Sequence, residues 1–313
     1  MTIRTAAVAF ARALAAWACI LGSAPAGSAI GLPAAAASEG ASALLREYAA
    51  QRPRLEDSPY GRPLALDSRE FSHHLEGDAY AVFAHPFGRV EQGLAPAAQW
   101  CEILLLPANT KHCQAEDRGG ASRLLLFVGR KDDTPIRDAY RLDFRYAVLA
   151  RAPDYLKLSL RSGAGPLGTR DYRIVLEAAP LDARRTVVKL SYSYGYGTLS
   201  RMAMQAYLAT FGADKVGFTV EGRDGEGRPR LVRGMRGVME RNTMRYALAI
   251  DAYLASLDAP PHERVPRRLQ DWFTAIERYP RQLRESDRED YVAMKEREYA
   301  RMHAGDCCKV ASR

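Results

Sequence analysis

Between residues 124 and 196 the sequence alternates apolar and polar residues. The alternation covers five segments, at 124–128, 142–148, 156–160, 172–176 and 188–196. Because successive side chains of a strand point to opposite faces, this period of two predicts strands with one buried face. Short connections rich in Pro, Gly and Asp separate the segments, at 131–135, 152–154, 163–166 and 180–182. Strands joined by such short links are typical of an antiparallel meander.

The segment before the meander changes from strand to helix. Residues 75–83 predict one more strand, and His85-Pro86 ends it. Phe87, Val90 and Leu94 then share one helix face, since they are spaced at i, i+3 and i+7. A second short helix is predicted over 97–101, after Pro96. The chain therefore passes through a strand and two short helices before the meander begins.

After the meander the helical period returns. A helix is predicted from Leu199 to near Gly212, followed by a hairpin of 216–220 with 230–232. A long helix comes next, and Pro260-Pro261 ends it. Its apolar positions are Tyr246, Ile250, Tyr253, Leu254 and Leu257. The predicted fold class is therefore α+β, with an antiparallel sheet followed by a long helix.

The two flanks of this body differ in composition. Residues 30–71 are interpreted as an Ala-rich stretch, a short helix over 41–50 and a Pro-rich linker over 51–66, so the ordered body is expected to begin near Ser72. Residues 262–304 predict a helical extension that is kinked at Pro280. Its acidic and basic residues nearly balance, which is typical of a solvated helix face.

The order of elements resembles the START-like helix-grip superfamily, which contains polyketide cyclases and lipid-transfer proteins. The similarity covers 72–258, and it is strongest locally over 79–90, where a strand ends in a Pro-containing turn into a helix, and at Trp100. The helix and hairpin of 199–234 form an insertion that simpler members lack. The resemblance implies a curved antiparallel sheet wrapped on a long C-terminal helix. It also implies a cavity that binds a lipid or another apolar molecule more often than it implies catalysis.

The first 29 residues have the pattern of an export signal. A basic start at Met1–Arg4 precedes an apolar stretch at 6–21, and small residues follow at 23–29. Ala24-x-Ala26 is the predicted cleavage site, with Ala29 as the alternative. We therefore expect an exported protein of the periplasm or cell envelope.

The cysteines fit that compartment. Cys19 would leave with the signal, and Cys101 and Cys113 are predicted to form a disulfide that stabilises the fold by about 3 kcal/mol. Cys307 and Cys308 are adjacent, and three states remain open for them: a bridge to another chain, a vicinal bond or free thiols. Their spacing with His303 matches no recognised zinc pattern, so no metal is predicted.

No cofactor is predicted either. Residues 163–168 have the letters of a dinucleotide fingerprint, but the chain continues there as a strand, so the segment is interpreted as a turn.

The formal net charge of +8 is mild, and it suits anionic lipids or acidic glycans better than nucleic acid. Many proteins with neither partner carry the same charge.

Tyrosines on the last strand are the candidate pocket lining. Aromatic rings with a polar tip suit a mostly apolar pocket that offers a few hydrogen bonds. The predicted ligand contacts are Tyr192, Tyr194, Tyr196, Phe144, Tyr146 and Tyr246. The alternative is that these rings simply pack against the long helix.

Six arginines between 228 and 245 are the candidate contacts for an anionic group. Guanidinium groups bind phosphate and carboxylate through paired hydrogen bonds, so Arg236, Arg241 and Arg245 are predicted to hold a head group or to face an anionic membrane surface. Arg236 is also spaced to pair with Glu240. The alternative is that the arginines pair with C-terminal acids such as Glu277, Glu285 or Glu289.

Two rival functions remain. An enzyme on the same scaffold would use a His or Asp in the cavity, and His73, His74, His85 and His112 are the candidate histidines. An interaction protein would have a filled core and an apolar stripe on its C-terminal helices. The main prediction is non-catalytic binding of a lipid or similar apolar ligand, with no protein partner identified.

Overall fold

The computed structural model describes residues 34–118, 121–209 and 213–304. The predicted export signal and the Cys307-Cys308 pair lie outside these residues. The helices are α1 Ala34–Glu56, α2 Phe87–Leu94, α3 Ala97–Leu104, α4 Thr198–Ala209, α5 Gly234–Ser256, α6 Arg264–Glu277, α7 Pro280–Leu283 and α8 Arg288–His303. None of the described helices combines the length and the hydropathy that a membrane span requires.

Within the described residues, eight antiparallel strands form the main sheet. They are β1 Leu64–Phe71, β2 His74–Phe83, β3 Thr110–Arg118, β4 Ala121–Val128, β5 Tyr140–Ala152, β6 Tyr155–Ala164, β7 Arg170–Pro180 and β8 Thr186–Gly195. Their order is β1-β2-β8-β7-β6-β5-β4-β3. The predicted meander supplies β4 to β8. The last of these strands pairs with β2, because α2 and α3 carry the chain from β2 to the far edge.

The long helix α5 packs on this sheet, mainly against β1 and β2. Most of its residues are buried. On β8 the period of two holds as predicted, because Val188, Leu190, Tyr192 and Tyr194 are buried whereas the intervening Lys189, Ser191 and Ser193 are partly exposed. The α+β fold class and the sheet that grips a long helix are confirmed.

The linker predicted over 51–66 is wrong, because α1 continues to Glu56 and β1 begins at Leu64. Helix α1 lies across the outer face of the sheet, where Leu44 packs with Tyr155 and Val187. A methyl group at Gly40 would lie 2.5 Å from the Tyr155 ring, so the helix can approach closely only with glycine at that position. Tertiary packing therefore extends a helix whose own sequence contains a proline.

The disulfide between Cys101 and Cys113 is confirmed, with Cα atoms 5.2 Å apart. The bond joins α3 to β3. β3 lies at an edge of the sheet and lacks a clear alternation, so it was not predicted. The predicted helix and hairpin of 199–234 are also present, as α4 with β9 Val220–Arg223 and β10 Pro229–Leu231, although the first hairpin strand begins later than predicted.

The C-terminal helices are confirmed, but they are more than a solvated extension. One face of α6 and α8 supplies core residues, namely Leu269, Trp272, Phe273, Ile276, Tyr291 and Tyr299. The described residues belong to one compact unit. Between α8 and the rest of the fold lies the buried triad, which we define as Lys111, Lys295 and Glu298, and all three are fully buried.

The carboxylate of Glu298 joins the two ammonium groups of the triad. Lys111 Nζ lies 3.2 Å from Oε1, and Lys295 Nζ lies 2.6 Å from Oε2. The remaining donors bind main-chain oxygens of residues 107–110 and of Asp132. The triad thus anchors α8 to two loops of the sheet.

Candidate functional site

A cavity lies between α5, α4 and the sheet, and it has two adjoining compartments. The outer compartment has a volume of about 380 Å³ and the inner one about 170 Å³. Both are lined by Asn109, Pro166, Tyr172, Tyr192, Asn242 and Arg245. Helix α4 covers the outer compartment with Ser200, Ala203 and Met204. The cavity therefore extends from α4 into the space between α5 and the strands.

The inner compartment combines an apolar wall with polar groups, which are Asn109, Asn242 and Arg245. Its apolar walls come from β4, β5 and α5 and consist of Leu126, Val128, Leu142, Phe144 and Tyr246. Leu126 pairs with Leu142 across β4 and β5, and Phe144 lies two residues further along the same face. Because the strands alternate, the same period that buries the core also aligns these side chains along one wall.

Four tyrosines connect the two compartments. Tyr172 stacks on Tyr194 at a centroid distance of 5.2 Å, and Tyr192 meets Tyr246 edge to face, also at 5.2 Å. Burial raises the pKa of Tyr246 to about 12 and also raises the pKa of Tyr172 and Tyr192. The phenols are therefore neutral at pH 7, and they offer a ligand aromatic faces with hydroxyl groups.

The outer compartment contains a group of charges that we call the mouth cluster: Lys131, Lys215, Arg245 and Glu285. Lys131 Nζ lies 2.6 Å from Glu285 Oε1, and Arg245 Nη2 donates to the same oxygen. The side chains of Arg245 and Glu285 are only 10% and 6% exposed. Lys215 Nζ donates to the carbonyl oxygen of Arg284 at 2.5 Å.

The electrostatics of the mouth cluster are dominated by positive charge. Burial would raise the pKa of Glu285, but the nearby Arg245, Lys131 and Lys215 lower it below its ordinary value. Burial also lowers the pKa of Lys215, and Lys131 and Arg245 add to this effect against the opposing Glu285. Glu285 is therefore an ionised carboxylate among cations. Because these cations repel one another, placing them together costs free energy.

Six of the nine predicted contacts lie at the cavity. Tyr192, Tyr194, Phe144, Tyr246, Arg241 and Arg245 line one or both compartments. Arg241 donates to the carbonyl oxygen of Val216. The predicted alternative is also present, because Arg245 pairs with Glu285 of the C-terminal region.

The other three predicted contacts lie elsewhere. Tyr146 donates its hydroxyl to the carbonyl of Ala95 at 2.6 Å and so fixes the end of α2. Tyr196 follows the end of β8 and donates to the carbonyl of Phe71 at 2.8 Å. Alternation alone placed them with the cavity residues, although their hydroxyl groups bind carbonyl oxygens of neighbouring elements.

Arg236 lies on the side of α5 that faces the hairpin, where it binds Glu221 at 2.9 Å. The predicted pair with Glu240 is wrong, because that carboxylate already accepts from Ser68, from the amides of Phe218 and Thr219 and from the Thr219 hydroxyl. Arg228 likewise pairs with Asp224 and Glu226. Both arginines are therefore partnered by acids of the β9–β10 hairpin.

Three residues that line the cavity were not predicted, namely Lys131, Lys215 and Tyr172. Tyr172 gave a usable signal, because it continues the apolar alternation of its strand on the face shared with Ile174. The two lysines gave none, since they lie in irregular connections whose spatial proximity depends on the whole fold.

Among the described residues, one His–Asp pair is present, but it lies away from the cavity. His85 Nε2 is 3.8 Å from Asp251 Oδ1, which is also bound by Arg62 at 3.1 Å. Asp251 lines a separate groove at the other half of α5. Burial lowers the pKa of His85 and raises the pKa of Asp251. Among the described residues, no group of three or more His, Cys, Asp and Glu side chains could hold a metal ion.

No family model matches the chain, and no curated protein matches it. Among solved structures, the aromatase/cyclase Zhui from Streptomyces sp. R1128 is 14% identical, with a TM-score of 0.35 over 60% of this chain and 97% of that one. Truncated norcoclaurine synthase from Thalictrum flavum is 14% identical, with a TM-score of 0.31 over 46% and 91%. Human StAR-related lipid transfer protein 5 is 8% identical, with a TM-score of 0.31 over 56% and 90%. Scores at this level establish neither a shared function nor a shared ligand.

Proposed function

We propose that the protein is an exported binding protein that holds one lipid-like or other apolar small molecule in the cavity between its sheet and α5. The single observation that carries the proposal is the cavity itself, whose walls combine apolar and aromatic side chains with a few polar groups. Apolar walls that meet a few polar groups are typical of small-molecule sites. In this proposal, Phe144, Tyr172, Tyr192 and Tyr246 contact the ligand.

The dimensions of the cavity limit the ligand. The outer compartment, at about 380 Å³, falls within the range of pockets that enclose a drug-sized molecule. The inner compartment adds space for one further apolar group. A single compact molecule therefore suits the cavity better than a lipid with two long chains.

Two features support export. The first 29 residues have the order of basic, apolar and small segments that export requires. The Cys101–Cys113 disulfide is the kind of bond that forms and persists in oxidising compartments. We do not include membrane binding in the proposal, because Arg228 and Arg236 are paired with acids of the hairpin.

The two rival functions receive less support. The His85–Asp251 pair lies outside the cavity, and no histidine is among the described residues that line either compartment. The apolar residues of α6 and α8 pack into the core, so they do not form an outward stripe for a partner. Binding without catalysis is therefore the function that the geometry favours.

The experiment tests whether a bulky side chain in the cavity prevents ligand binding. Ala203 lies on the face of α4 that lines the cavity, whereas Gln205 on the same helix is exposed. N-phenyl-1-naphthylamine, a neutral fluorescent probe, should bind the purified wild type and Gln205→Trp. Binding to Ala203→Trp should weaken by at least about tenfold, because a new indole fills the space.

Native mass spectrometry of the protein, purified without detergent, complements the probe. A stoichiometric apolar molecule that is present in the wild type and absent from Ala203→Trp would identify the ligand class. Equal probe binding by wild type and Ala203→Trp, with both variants folded by circular dichroism, would overturn the proposal.

A further inference from the structure

The mouth cluster has more positive charge than its single carboxylate can balance. Glu285 is the only acid among the described lining residues of the outer compartment, and it faces Lys131, Lys215 and Arg245. Lys131, Lys215 and Arg245 each lower the pKa of Glu285, so all three positive charges lie close to that carboxylate. A cluster of this kind attracts an anion, because its charges lie in a partly dehydrated site where screening is weak.

Arg245 also has an unused donor. Its Nη1 donates to Asn242 Oδ1 at 3.1 Å and its Nη2 donates to Glu285, but Nε is buried without an acceptor. A buried donor without a partner costs free energy, and such groups are uncommon in folded proteins. Arg245 lines both compartments, so a bound molecule can reach this side chain.

Lys215 is bound to the protein through a main-chain carbonyl rather than through an acid. No acid among the residues that the structure describes forms a direct ion pair with it. Burial and neighbouring cations lower the pKa of Lys215. A negative group at the same place would oppose both effects and stabilise the charged form of the lysine. The ammonium group of Lys215 is therefore available to bind a negative group in the outer compartment.

We infer that the ligand is an amphiphile with one anionic group, which binds between Lys131, Lys215 and Arg245, while its apolar part occupies the inner compartment. A carboxylate, a sulfonate or a phosphate would satisfy this chemistry. The inference rests on the proposed function and adds the charge of the ligand to it. Glu285 serves as the resident counter-ion, which keeps the three cations close together in the free protein.

The test uses two probes that share one ring skeleton. 8-Anilinonaphthalene-1-sulfonate differs from N-phenyl-1-naphthylamine by its sulfonate, so the ratio of their dissociation constants isolates the anionic group. Lys215→Met should weaken binding of the sulfonate probe by about tenfold or more, since a hydrogen bond to a charged group is lost. The same variant should change binding of the neutral probe by less than twofold, and Lys215→Arg should restore most of the loss.

Glu285→Gln is the reciprocal variant. It removes the competing negative charge and keeps an oxygen acceptor, so binding of the sulfonate probe should strengthen by about threefold. Arg236→Met is the matched control, because Arg236 lies on the same helix but away from the cavity. Both probes should bind this control as they bind the wild type.

The outcomes separate the inference from the proposed function. If the neutral probe binds in a way that Ala203→Trp blocks, but Lys215→Met leaves the sulfonate probe unchanged, the cavity binds apolar molecules and the anionic inference is overturned. If neither probe depends on Ala203, the proposed function itself fails. Displacement of the sulfonate probe by low millimolar inorganic phosphate at constant ionic strength would assign the site to a free anion and would also overturn the inference.

Discussion

The mouth cluster and the buried triad combine lysine or arginine with one glutamate, but they differ in how completely the donors are satisfied. In the triad, Lys295 Nζ has three acceptors, at 2.6 to 2.8 Å. In the mouth cluster, Arg245 Nε is buried without an acceptor. The triad is fully buried, whereas the mouth cluster borders a cavity.

This difference shows that burial of charge does not by itself indicate a binding site. A buried ion pair whose hydrogen bonds are complete holds parts of the fold together, and the triad does so by binding α8 to the loops at 107–110 and 129–134. Residues of these same loops, Asn109 and Lys131, line the outer compartment. The satisfied cluster therefore supports the wall on which the unsatisfied cluster lies.

The largest expected effect comes from breaking the triad. Glu298→Gln removes the only negative charge between two fully buried ammonium groups. Removal of one partner from a buried ion pair leaves uncompensated charge, so the free energy of unfolding should fall by about 3–5 kcal/mol. Chemical denaturation monitored by tryptophan fluorescence measures this loss.

The matched control for that variant is Glu296→Gln, on the exposed face of the same helix. It removes the same charge from α8 and should change the free energy of unfolding by less than about 0.5 kcal/mol. Equal losses in the two variants would show that net charge on the helix, rather than the geometry of the triad, determines stability.

A smaller effect should appear in the pH dependence of stability. Burial lowers the pKa of Lys295 from 10.5 to about 8. Between these values the unfolded chain binds a proton that the folded protein lacks, so stability rises with pH in this interval. Below pH 8 the folded protein keeps Lys295 charged and bears the full cost of burying that charge.

Lys295→Met removes this titration. From pH 8 to about pH 9.5, the wild type should gain on the order of 1–2 kcal/mol of unfolding free energy relative to the variant. Denaturation series at matched pH values measure the difference, and the other titrating groups are common to both proteins. A constant difference across the interval would mean that Lys295 is not the group that titrates.

Much of the fold could be predicted from the sequence, because the core strands repeat one local rule. The period of two from 124 to 196 predicted five strands, and the spacing of Phe87, Val90 and Leu94 predicted α2. β1 was missed because Leu64, Ala65 and Leu66 are all buried, with the two leucines on one face and Ala65 under α1 on the other. A run without alternation gives no sign of a strand that is covered on both faces.

The site was less predictable than the fold. The aromatic wall follows from strand alternation, so Tyr192, Tyr194 and Phe144 could be placed together from their positions. Glu285 was recognised only as a possible partner of the arginines, and Lys131 and Lys215 had no pattern at all. These groups meet through long-range folding, and local sequence does not encode such distances.

The smallest expected effect concerns Arg236, an arginine whose guanidinium group is paired and which lies away from the cavity. Arg236 lies in the same arginine-rich run as Arg245, but its side chain is 32% exposed and is paired with Glu221, which is 38% exposed. Surface ion pairs contribute roughly 0–1 kcal/mol, so Arg236→Met should lower the free energy of unfolding by less than about 1 kcal/mol in a denaturation experiment. A larger loss would show that the hairpin depends on this arginine despite its exposure. The expected small loss, together with unchanged probe binding, would show that membership of the arginine-rich run does not define the site. Arg245 would then differ from Arg236 in two respects, because it lies beside the cavity and its Nε has no acceptor.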